Sequence, residues 1–309
     1  MHDTRSALTV LALASTLLCG TLLPASTHAG IVLTDDAGRE IALPAPAQRI
    51  VSLAPHVTEV LFAAGAGDKV VGVVAYSDYP EAAKSLPQVG GYTQIDLEAI
   101  AALRPDLIIG WQSGNREGHL ARLEALGVPV YLNEPRSLED VARSLEQFGR
   151  LAGTETAAEA SASAFRARHA ELSAHYTRRP KVRTFYQIWD RPLMTVNNEH
   201  LIADVIRLCG GENVFGSLSQ LAPTISVEAV LAANPEVIVA SGMGEARPEW
   251  LSQWSRWPQL EAATRDNLFF IRPDHIQRHT PRILDGASRL CDQLEQARAR
   301  RPAGSAQGN

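Results

Sequence analysis

No stretch of the sequence concentrates charge of one sign: a formal net charge of -5 is spread over 309 residues without a basic stripe or an acidic tail. That excludes the electrostatic footprint of a nucleic-acid partner. Beyond residue 29 there is no apolar run of the roughly 20 residues that a membrane-spanning helix needs. A Gly-x-Ser-x-Gly elbow, a Walker loop and a complete dinucleotide fingerprint are also absent; Gly65-Ala66-Gly67 follows a helical pattern instead of opening one and lacks the third glycine. There is no redox cluster of cysteines and no long His- and Asp-rich loop for metal capture. Catalysis therefore has no support in the sequence, and neither a catalytic residue, a resident cofactor nor a protein-held metal is expected. Triads are assembled in space, so an enzyme is the reading of last resort and not an impossibility.

Of the three cysteines, Cys19 lies in an N-terminus built from Arg5, the apolar run Ala7 to Leu23, Pro24 and the small-residue stretch Ala25-Ser26-Thr27-His28-Ala29. This layout is that of a secretory signal peptide, residues 1–29, cut after Ala29. Leu18 before Cys19 is bulkier than a lipidation site takes, so no lipid anchor is expected. Cys209 and Cys291 then remain in a chain exported to an oxidising compartment, which favours a disulfide. Two separate buried thiols are the alternative, because spacing does not show proximity.

From Gln48 onward, short β-branched runs alternate with helical patterns, which predicts an α/β protein with parallel sheets. Strands are expected at 49–53, 70–74, 107–110 and 128–132, with helices at 58–64, 97–103 and 120–126; Pro55 is expected to stop the first strand. A run from Thr154 to Arg179 without Gly or Pro predicts one helix of about 35 Å, a strut between two lobes. The organisation is thus a lobe at 30–153, a bridging helix at 154–179, a second lobe at 180–298 and a disordered tail at 299–309. The lobes resemble each other. Ile95-Asp-Leu-Glu98-Ala-Ile-Ala-Ala-Leu-Arg-Pro105 aligns with Ile225-Ser-Val-Glu228-Ala-Val-Leu-Ala-Ala-Asn-Pro235. Asp96 and Ser226 become equivalent N-caps, and Glu98 and Glu228 equivalent first-turn acids. Duplicated lobes flanking a strut leave a cleft, where small ligands bind.

Candidate binding residues follow from placement. His56 stands just past the first strand, at the edge where open α/β sheets hold ligands. His275 and His279 have the i, i+4 spacing of a helical metal pair inside the polar segment Asp274 to Arg282. Tyr76, Tyr92, Trp111 and Trp189 follow strands or occupy loops, where rigid rings would stack on a flat ligand or else cap their own lobe's core. Trp250, Trp254 and Trp257 repeat as one helix face and are expected to pack.

Several runs are similar to one family: Ser52-Leu-Ala-Pro55-His-Val-Thr-Glu59, Tyr76-Ser-Asp-Tyr79-Pro80, Cys209-Gly-Gly-Glu-Asn213 and Asp274-x-x-x-Arg278-x-Thr280-Pro281-Arg282. Together they resemble the periplasmic cobalamin-binding receptors of ABC vitamin importers, within the wider class that also binds haem and ferric siderophores. The resemblance covers about Arg49 to Leu294. It implies two Rossmann-like α/β lobes joined by one long helix, little hinge motion, and a periplasmic monomer that hands a corrinoid to a permease dimer with its ATPase subunits. It further implies that Tyr76 stacks on the ligand, that Asp274, His275, Ile276, Gln277 and Arg278 contact it from the other lobe, and that Tyr92 and Trp111 complete an aromatic pocket. Cys209 and Cys291 match the family's disulfide, and Glu98 and Glu228 the carboxylates that dock on the permease. This chain departs from the aromatic pattern at Tyr92, Met194, Ala222 and His275, which keeps haem, with Tyr76, His56 or His275 as axial ligand, and a ferric siderophore as alternatives. A corrinoid- or metal-using redox enzyme is the rival of another class.

Overall fold

The computed structural model describes residues 30–91, 94–125, 127–242 and 248–302. The signal-peptide expectation, Tyr92, and residues 303–309 of the tail lie outside them. A hairpin of β1 (Ile31–Thr34) and β2 (Glu40–Leu43) leads into the first lobe. There follow β3 (Ile50–Ser52), α1 (Pro55–Ala63), β4 (Val70–Val73), β5 (Gly90–Gly91), β6 (Gln94–Ile95), α2 (Leu97–Ala102), β7 (Leu107–Trp111), α3 (Glu117–Glu124), β8 (Val130–Asn133) and α4 (Leu138–Ala152). After α5 (Glu155–Tyr176) come β9 (Val182–Gln187), α6 (Leu201–Leu208), β10 (Gly211–Asn213), α7 (Val227–Ala233), β11 (Val237–Ala240), α8 (Glu261–Thr264), β12 (Leu268–Phe270), α9 (Pro273–Ile276) and α10 (Ile283–Ala299).

Each lobe holds a four-stranded parallel sheet, in the order β4-β3-β7-β8 and β10-β9-β11-β12. In each, the second strand of the lobe lies outside the first, and the third and fourth extend the other side, so the internal duplication reaches the topology. Ile50, Val51, Leu107, Ile108 and Ile109 are fully buried, as parallel strands covered on both faces require. Pro55 does end β3, but it also opens α1, because the first turn of a helix has no use for the missing N–H. That helix therefore starts three residues before the expected Thr58. The tryptophan run is a 3-10 helix, Glu249–Arg256, and not an α-helix; its packing role holds, with Trp254 buried and Trp250 and Trp257 against the same cluster.

The strut is α5, whose 22 residues extend about 33 Å. Thr154 does not cap it by its side chain, which donates instead to the Ala64 carbonyl at 2.7 Å. A Cβ on Gly149 of α4 would fall 2.3 Å from that of Ala158, so glycine is what lets the two helices pack this closely. One apolar cluster runs from Leu107 and Phe148 in the first lobe through Ala158, Ala162 and Phe165 to Val182, Tyr186 and Leu290 in the second. The lobes thus share a core as well as a strut. A Cys209–Cys291 disulfide, with Cα atoms 4.6 Å apart, ties the end of α6 to α10. The ordered chain passes the expected tail boundary: Ala299 closes α10, and Arg301 donates to Glu236 at 2.8 Å.

Candidate functional site

The segments that follow the carboxyl ends of the two sheets meet at one seam between the lobes, the cleft position where parallel α/β sheets bind ligands. β3 leads into α1, which carries His56 and Glu59; β4 leads to Tyr76; β7 ends at Trp111; β12 leads into α9 and the segment 274–282. Tyr76 has φ +66° and is 66% exposed, an aromatic ring held out on left-handed backbone. Arg278, from the other lobe, secures that loop by donating to the Tyr76 carbonyl at 3.2 Å and to Asp78 at 2.7 Å. Beside it, the Arg282 guanidinium lies 3.8 Å from the centre of the Tyr79 ring, within cation–π range.

The cleft floor is ionic. The Glu59 side chain is only 2% exposed and accepts two hydrogen bonds from Arg282, at 2.7 and 2.6 Å, with Arg278 3.9 Å away. Arg282 also donates to Asp274 at 3.3 Å, and Arg272 does so at 3.1 and 3.0 Å. Burial pushes the Asp274 carboxyl up, but the Arg272 hydrogen bond and the charges of His275, Arg272 and Arg282 outweigh it and hold the group below the usual carboxylate value. Asp274 is therefore an anion in the cleft, already oriented by two arginines.

The structure sorts the expected site residues. Tyr76 and Arg278 meet across the cleft, and Asp274 joins the same seam through Arg282. His275 is partly exposed, its Nε2 3.7 Å from Asp274. Gln277 donates to the Ser241 hydroxyl, which in turn meets the Tyr186 phenol. Ile276 is fully buried in the core and anchors the segment. The Trp111 indole packs against Gly114, where a Cβ would fall 1.8 Å from it. His56 is buried between the lobes, edge-on to Trp111. The His275/His279 spacing does not produce a helical metal pair: α9 ends at Ile276, and His279 is buried against His56 instead. Among the described residues no group of three or more His, Cys, Asp or Glu could hold a metal ion. Glu59, Arg282 and Tyr79 were not singled out from sequence. Glu59 did carry a signal: an acid among Val57, Val60 and Leu61 on a buried helix needs a buried cation.

Glu98 and Glu228 are exposed at the N-termini of α2 and α7. Asp96 accepts from the Glu98 and Ala99 N–H groups, and Ser226 from that of Ala229. The backbone N–H of Glu228 and the Ser226 side chain hold the Glu228 carboxyl below its ordinary value. The far ends of the two helices match as well. Arg49 donates to the carbonyls of Leu103 and Arg104, and Arg183 to those of Ala233 and Asn234. Asp106 and Glu236 in turn accept from the backbone N–H groups of Arg49 and Arg183.

Two parallel-sheet lobes, a bridging helix and a cleft at the strand ends define a two-lobed receptor for a small ligand. A family model described as periplasmic binding protein matches residues 50–275, and the chain belongs to that family. Among curated relatives, the vitamin B12-binding protein of Vibrio parahaemolyticus serotype O3:K6 is 37% identical over 256 residues, 83% of this chain and 92% of that one. The crystal structure of the periplasmic vitamin B12 binding protein BtuF of Vibrio cholerae matches with a TM-score of 0.76 and 36% identity, over 82% of this chain and 98% of that chain. The periplasmic heme-binding protein RhuT of Roseiflexus sp. RS-1 matches with a TM-score of 0.69 and 26% identity, over 81% and 98%.

Proposed function

We propose that the chain is exported by residues 1–29 to the periplasm, where as a monomer it captures cobalamin or a related corrinoid and delivers it to an ABC importer. The observation that carries this reading is the Tyr76 ring, two-thirds exposed at the cleft, on a loop whose backbone Arg278 holds from the opposite lobe. An exposed aromatic on strained backbone is a surface waiting for a flat partner. The similarity to vitamin B12-binding proteins over most of the chain supports the corrinoid as that partner.

In this reading the corrinoid enters edge-on between Tyr76 on one side and Asp274, His275, Gln277 and Arg278 on the other, with Trp111 extending the aromatic wall; the family resemblance adds Tyr92 to the ligand's contacts. The ligand's amide-bearing edge would meet charged groups already held in place, so little conformational freedom is lost on binding. His56 and Ile276, being buried, support the wall without touching the ligand. No bond is made or broken. Glu98 and Glu228, one per lobe on equivalent helices, then meet the two halves of a permease dimer, and complementary charge orients the encounter.

Calorimetric titration of the mature protein with cyanocobalamin, cobinamide and haemin tests this. One-to-one binding of the corrinoids with weaker haemin binding is expected. Binding of haemin alone would move the protein to the haem branch that the likeness to RhuT represents, and silence from all three would point to ferric siderophores.

A further inference from the structure

We propose that the seam between the lobes is a pH-sensitive latch, in which His56 and His279 must stay neutral for the cleft to stay assembled. His56 belongs to α1 of the first lobe, and His279 to the second lobe between α9 and α10; both are only 4% exposed. Their ring centroids lie 5.3 Å apart, and Trp111 meets the two rings edge-on at 5.3 and 6.2 Å. His200, the N-cap of α6, lies 5.8 Å from His279 and accepts the Ile202 N–H through Nδ1. Nε2 of His56 and Nδ1 of His279 are buried and find no hydrogen-bond partner. A proton added to His279 would have no acceptor and at His56 only the Asn133 side chain beside it, and burying such a charge is costly.

The charged groups around this row do not offset a proton. Arg278 faces His56 and Arg136 faces His200, both cationic. Glu59, one turn along α1, is committed to Arg282 with Arg278 close by. Glu134 accepts from Ser113, and its carboxyl is pushed up by burial despite that bond and the charge of Arg136. Glu199 pairs with Arg136 at 3.5 Å. Burial first, and then His279 and Arg278, hold His56 well below the usual histidine value against the opposing pull of Asn133. Burial alone takes His279 down to about 4.

A histidine with a lower pKa in the closed state than in the open one binds protons more readily when open. The closed form therefore has its full stability above the ordinary value near 6.5 and loses it as the pH falls through that value toward the closed-state pKa. At pH 5 His279 by itself shifts the equilibrium toward the open form by about 30-fold, and His56 adds in the same direction. Acid would then part the lobes beside Arg278 and release ligand without the transporter. The latch does not depend on which ligand the cleft takes.

Small-angle X-ray scattering of the ligand-free protein from about pH 7.5 to about 4.5, with NMR titration of the histidine ring protons, tests the latch. The native protein is expected to expand below about pH 5.5 as two histidine signals titrate, and cyanocobalamin affinity to fall at least about tenfold over the same range. The H56N/H279Q variant should show neither change. Should that variant fold poorly, H279Q alone is expected to move the transition to lower pH. An unchanged native scattering curve, or a full pH response in either variant, overturns the proposal. Expansion without cyanocobalamin binding at any pH leaves the latch standing and removes the corrinoid assignment.

Discussion

Glu59 and Arg282, 223 residues apart in the chain, join the two lobes at the cleft floor through two charge-assisted hydrogen bonds of 2.7 and 2.6 Å. Arg282 is at the same time stacked under Tyr79 and bonded to Asp274, so one guanidinium links the lobe seam, an aromatic wall and the anion of the cleft. Arg278 repeats the pattern four residues earlier, crossing to Tyr76 and Asp78.

A buried carboxylate stripped of its cation is worse than no pair at all. Arg282→Ala should lower the unfolding free energy by roughly 3–5 kcal/mol, whereas replacing Glu59 and Arg282 together by methionine should cost far less. Urea titration of the two variants measures the difference. Equal losses would show that the two charges are not coupled.

Tyr76 separates binding from folding, because its ring is exposed and its backbone is strained. Tyr76→Ala should weaken cyanocobalamin binding by about fivefold or more, taking stacking at about 1–3 kcal/mol. Tyr76→Gly should lose the same affinity yet raise the melting temperature, since glycine adopts positive φ without the penalty of about 1–2 kcal/mol that a side chain carries. A drop in stability for the glycine variant would refute the strain argument.

Replacing Glu98 and Glu228 together by alanine should leave cyanocobalamin affinity unchanged and weaken capture by the permease. Both acids are exposed, and neither touches the cleft residues. Binding of the loaded protein to the importer in nanodiscs is the readout; lost ligand affinity would show that the docking role is misassigned. Arg49→Gln with Arg183→Gln should weaken the same step, by loosening the helices that present the acids.

The Cys209–Cys291 bridge closes a segment of 82 residues in the second lobe. Replacing both cysteines by alanine should cost roughly 2–5 kcal/mol of stability while leaving ligand affinity within about twofold. Thermal unfolding with and without ligand checks both, and an unaltered melting temperature would make the bridge dispensable.

By itself the sequence determines the succession of strands and helices, the strut and the internal repeat, because these depend on local periodicity, caps and the similarity of two segments. It also marks Glu98 and Glu228 as equivalent, since their caps at Asp96 and Ser226 are local. Element ends shift where one residue serves two purposes, as Pro55 does. Only the tertiary structure decides that Glu59 meets Arg282, that Arg278 holds Tyr76, and that His279 leaves His275 to join His56. Those partners come from opposite lobes, and what selects them is the fit of two sheets around a shared core and the need of buried charges and imidazoles for particular neighbours. No local pattern in the chain encodes that fit.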